Sequence, residues 1–94
     1  MAVNDFNQFP GGELIRRGLD DLAKARESAE ALLVLIGAPR LRRLGFDIPE
    51  VQGIPPEHRL YDLLNRSDPD AAHSRYNALI RRLVRFERAV ECAG

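Results

Sequence analysis

The sequence has no tryptophan, one cysteine, one lysine among fourteen basic residues, and only short apolar runs. Each shortage excludes something. A lone Cys92 cannot close an internal disulfide, so a reducing cytoplasm is the compartment expected. The longest unbroken apolar run spans residues 31–36, far short of the roughly 20 residues that cross a bilayer. No membrane partner is expected. The opening Met-Ala-Val-Asn-Asp lacks the basic and apolar regions of a signal peptide. Charge of one sign is also missing, because fourteen acidic residues balance the basic ones to a formal net charge of +0. That balance removes the long-range attraction typical of polyanion binders, so nucleic acid is not the favoured partner.

What the chain does have is two long apolar seams at helical spacing. The first is Ile15, Leu19, Leu22, Ala29, Leu33 and Ile36, and the second is Ala72, Tyr76, Leu79, Leu83, Phe86 and Val90. Apolar residues every three and four positions lay a stripe along one helix face, which another helix must cover. The spacing predicts helices over 13–36 and 69–93. Gly37 offers the first a left-handed stop, and Pro39 blocks its continuation. Asp68-Pro69-Asp70 gives the second an N-cap carboxylate, a proline at the first helical position and another acid near its positive end.

Between them the sequence predicts a short helix over 39–44 that stops at Gly45, an ordered loop over 45–55, and a helix over 56–66 carrying Leu60, Leu63 and Leu64 on one face. Phe46, Ile48, Val51 and Ile54 are expected to pin the loop against the helices. Residues 1–11 read as a polar N-terminal arm in which Phe6 and Phe9 dock on the domain's own helices or clamp a partner. Gly18, inside the first seam, marks either a close helix crossing or a tolerated glycine. No strand pattern, repeat or low-complexity tract is present.

The fold expected is all-α. It is a small helical bundle of two long antiparallel helices with two short helices in the connection, built as one domain of 94 residues. If the long helices face each other, Asp20 and Asp21 fall near Arg85 and Arg88, and Glu27 and Glu30 near Arg75, Arg81 or Arg82. Exposed pairs of this kind contribute about 0 to 1 kcal/mol each, enough to bias register but not to hold the fold. Ile80 and Val84 widen the second seam beyond what one helix would cover. The helix at 56–66, or a second copy of the chain, is expected to pack there.

No catalytic signature, cofactor motif or metal-ligand spacing is present. His58 and His73 form neither His-x3-His nor part of a cysteine pair, and Cys92 has Glu91 beside it and no histidine within a helical turn. The function expected is therefore a non-enzymatic protein–protein interaction module that forms a homodimer. Its contact residues are Phe6, Phe9, Arg75, Ile80, Arg81, Arg82, Val84 and Arg85, with Leu83 on the same side. Arginine supplies thirteen of the fourteen basic residues and is enriched at interfaces. The alternative is a helix-turn-helix DNA-binding regulator, with Ser74, Arg75 and Asn77 at the start of the last helix reaching base edges. Asp68 and Asp70 near phosphate count against it.

Overall fold

A computed structural model describes residues 8–93, and five helices account for most of them: α1 (Gly12–Ala23), α2 (Ala29–Ile36), α3 (Ala38–Arg43), α4 (Pro56–Ser67) and α5 (Ala72–Ala93). The fold is all-helical, with no strand among the described residues. The helix expected over 13–36 is instead a hairpin of α1 and α2. Two local devices break it. At the end of α1 the Ala25 amide donates to the Leu22 carbonyl at 3.1 Å and the Arg26 amide to the Asp21 carbonyl at 2.7 Å. This is the paired closure of a Schellman motif, with Ala25 at φ +53° in the position glycine usually takes. Ser28 then starts α2. Its hydroxyl accepts from the Ala31 amide at 3.1 Å and donates to Asp21 Oδ2 at 2.6 Å, so the second cap is tied to the last turn of α1.

The hairpin closes at Gly18. A Cβ placed there would come within 3 Å of the Glu30 carbonyl oxygen and of Val34 Cγ2, so the glycine is required by a close crossing of α1 and α2. Four consecutive residues of α2, Ala31, Leu32, Leu33 and Val34, are buried. A helix buried all round must be the central one, and α2 indeed contacts all four others.

Gly37 separates α2 from α3, but not by a left-handed turn. Its φ is −85°, a value any residue adopts. Glycine is needed for space, since a Cβ would lie 2.8 Å from Leu83 Cδ1 and 3.0 Å from Glu87 Oε2 of α5. Pro39 falls in the first turn of α3, where its missing N–H costs nothing. The stop at Gly45 is real: φ is +107°, and the Gly45 and Phe46 amides close onto the Arg42 and Leu41 carbonyls in a second Schellman motif. Buried Phe46 and Leu41 stand at the two positions that pack together in such a motif.

α4 begins at Pro56, runs one residue beyond 66, and folds back on α5 through residues 68–71. Asp68 does not cap α5. It closes α4, its amide donating to the Leu64 carbonyl at 2.8 Å, and α5 starts at Ala72 rather than at 69. Leu60 and Leu64 of α4 are fully buried in the core, and α4 packs on α5.

The expected antiparallel register of 13–36 against 69–93 fails with the long helix. Gly11 approaches Arg82 and Phe86, while Gly37 approaches Leu83 and Glu87. Both ends of that segment thus meet the same two turns of α5, which a straight rod could not do. Around this point Phe86 is fully buried between Phe9, edge-on at 6.3 Å, and Phe46, tilted at 5.8 Å.

Candidate functional site

The residues expected to contact a partner divide into four groups. Phe6 lies outside the described residues. Phe9 is half-buried and docks edge-on against Phe86 of its own chain, and Leu83 is 3% exposed. Ile80 and Val84 are half-buried, with Ile80 packed against the core. Arg75, Arg81, Arg82 and Arg85 are exposed. Among the described residues none of these four arginines, nor Arg88, has an ion pair or side-chain hydrogen bond.

The charge pairs expected between the long helices do not form. Glu27 pairs with Arg59 of α4, Asp21 is held by Ser28 and Arg26, and Glu91 takes Arg40 rather than Arg88. Arg40 reaches from α3 to α5, 3.6 Å from Glu87 and 2.7 Å from Glu91. Burial raises Glu87 above the ordinary carboxyl value; the Arg40 charge opposes this and Glu91 adds to it. No helical spacing linked these residues, since they lie 47 and 51 positions apart along the chain.

Ser74 and Asn77, candidate base readers, are engaged locally. Ser74 Oγ donates to the Ala71 carbonyl at 3.1 Å, and the Asn77 amide lies 3.3 Å from His73 Nε2. Arg75 alone of the three is exposed without a partner among the described residues. Cys92 is exposed as a free thiol. Among the described residues no three of His, Cys, Asp and Glu gather as metal ligands would, and no helix is long and apolar enough to cross a membrane.

Two surfaces remain. The first surrounds the loop of residues 46–55. Phe46 and Ile48 are buried as expected, but Val51 and Ile54 are not pinned: they stand 51% and 65% exposed. The loop turns outward because Arg42 holds its middle, donating to the Ile48 and Pro49 carbonyls at 2.9 and 3.0 Å. Val51 lies between two adjoining clefts of about 180 and 160 Å³ that share Leu35 and Arg59; Ile54 and Arg42 wall the larger and Glu27 the smaller. Apolar rim and apolar floor here meet charges of both signs, since Glu50 also lines the larger cleft.

The second surface is a cleft of about 340 Å³ between α4 and the first turns of α5, lined by Glu57, His58, Tyr61, Asp62 and Tyr76. The tyrosine rings stand 5.9 Å apart and 59° inclined. Burial, and next the Glu57 charge, raise the Tyr76 hydroxyl above its ordinary value. Tyr76 belongs to the second apolar seam and Tyr61 to no seam; the meeting of the two depends on the turn that folds α4 onto α5.

No family model, curated protein or solved structure matches this chain.

Proposed function

We propose that this chain is a small non-enzymatic helical interaction module that associates with itself in the cytoplasm. The observation that supports the reading is the exposure of Val51 and Ile54 at the edge of the clefts they line. Isolated exposed apolar residues are ordinary, but a rim of two beside an apolar hollow is suited to contact. Such a patch offers a protrusion and a recess together, which a two-fold interface needs in order to complement itself. Arg42 and Arg59 beside Glu50 and Glu27 give it both charges, and a formal net charge of +0 leaves two copies without mutual repulsion. The exposed thiol of Cys92 suits a reducing compartment.

The stripe of Ile80 and Val84 among the α5 arginines is the competing surface for the same association. The DNA-binding alternative has weaker support, because Ser74 and Asn77 already have local partners. Sedimentation velocity from about 1 µM to about 1 mM tests the reading, since that range spans reversible, weak self-association. A dimer that dissociates in the variant Val51→Ser/Ile54→Ser is the result expected. A dimer that persists in that variant but is lost in Val84→Ser moves the interface to α5. A strict monomer across the range ends the self-association reading.

A further inference from the structure

The cleft between α4 and α5 is built differently from the loop patch and lies on another face of α4: Pro56 and Arg59 line one, Glu57, His58 and Tyr61 the other. Its walls are two aromatic rings set as an open V, 5.9 Å between centroids at 59°. Tyr61 lines the cleft and is 38% exposed, so part of this side chain is within reach of a ligand. Two carboxylates, Glu57 and Asp62, stand at the rim, and among the described residues neither is ion-paired or accepts a hydrogen bond. Both tyrosine hydroxyls and the His58 ring are likewise without a hydrogen bond there. Aromatic faces attract cations through their negative quadrupole, and carboxylates accept the charge-assisted hydrogen bonds that cations donate.

We propose that this cleft receives an arginine side chain from a basic segment of a partner protein. A planar guanidinium stacks on the Tyr61 ring and directs its N–H fork at Glu57 and Asp62. The compact ammonium of lysine has no plane to stack and is held less well. Among the described residues no salt bridge uses these two carboxylates, and Arg66, one turn from Asp62, donates to its backbone carbonyl instead.

The chain provides its own reporter. With two tyrosines and no tryptophan, ultraviolet emission comes from Tyr61 and Tyr76 alone. The test is a titration of the full chain with acetyl-Gly-Arg-Gly-amide, followed by tyrosine emission at fixed ionic strength. A saturable change is expected with half-saturation on the order of 1 mM, as a single cation contact allows. The citrulline peptide, equal in shape and uncharged, should bind about tenfold more weakly, and so should Glu57→Gln/Asp62→Asn toward the arginine peptide. Tyr61→Leu, at an exposed position, should weaken binding as read from Tyr76. A non-saturating response, equal binding of the citrulline peptide, or equal binding of the lysine peptide overturns the proposal. Dimers that dissociate in Glu57→Gln/Asp62→Asn would overturn the separate partner and put a second copy in the cleft. Loss of dimers in Val51→Ser/Ile54→Ser has no bearing on the cleft, so the two readings fail separately.

Discussion

The Ser28 hydroxyl donates a hydrogen bond to Asp21 Oδ2 at 2.6 Å and accepts one from the Ala31 amide at 3.1 Å, so one side chain starts α2 and fastens it to the end of α1. Ser28→Ala removes an N-cap and leaves a half-buried carboxylate without its donor. A loss of about 1 to 2 kcal/mol is expected. Urea denaturation measures it. A change below about 0.3 kcal/mol would mean the hairpin turn is held by packing alone.

Ala25 gives the opposite sign. At φ +53° a Cβ is strained, and Ala25→Gly relieves that strain at a modest cost in unfolded-chain entropy. A net gain of roughly 0.5 kcal/mol in folding free energy is expected. A clear destabilisation in thermal melts would show that residue 25 is not left-handed in solution.

Gly18 separates helix propensity from packing. On an open helix surface Gly→Ala stabilises by about 1 kcal/mol. Here the new methyl would meet the Glu30 carbonyl and Val34, and the crossing must widen, so Gly18→Ala is expected to lose about 1 to 3 kcal/mol. Stabilisation in the same assay would place α1 and α2 further apart than described.

The pH dependence of Glu87 follows from its raised titration, caused first by burial. A carboxyl group whose folded value exceeds its unfolded one favours folding below the unfolded value, and that contribution is lost as pH rises through the folded value. Glutamine does not titrate. The stability of the parent chain relative to Glu87→Gln should therefore grow as pH falls from about 7 toward about 4. Paired melts across that range check it, and a gap that narrows on acidification would mean that Arg40 outweighs burial.

The helices were legible wherever an apolar face and a terminal signal coincided. Leu60 with Leu64, Gly45 as a stop, and the seam through Leu83, Phe86 and Val90 all stand in the structure. The spacing over 13–36 mimics a single helix because Leu22 and Ala29, two turns apart, stay in phase across the break between α1 and α2. Ala25 and Arg26 leave a hole in the seam, and Ser28 before Ala29 carries the N-cap signal that marks the second start. Gly37 reads locally as a helix stop, but the reason for glycine there lies in Leu83 and Glu87, which no local rule connects to it. The candidate surfaces were less legible still. Val51 and Ile54 are apolar, and only the grip of Arg42 on the Ile48 and Pro49 carbonyls shows that they face outward.

Gly11 and Gly37 converge on one short stretch of α5, and this binds the halves of the molecule into one folding unit. Removing the helix beyond residue 81 would strip the covering from the start of α1 and from the joint between α2 and α3 together. Neither half is then expected to persist as an autonomous fragment, and denaturation should run as one all-or-none step without a half-folded plateau.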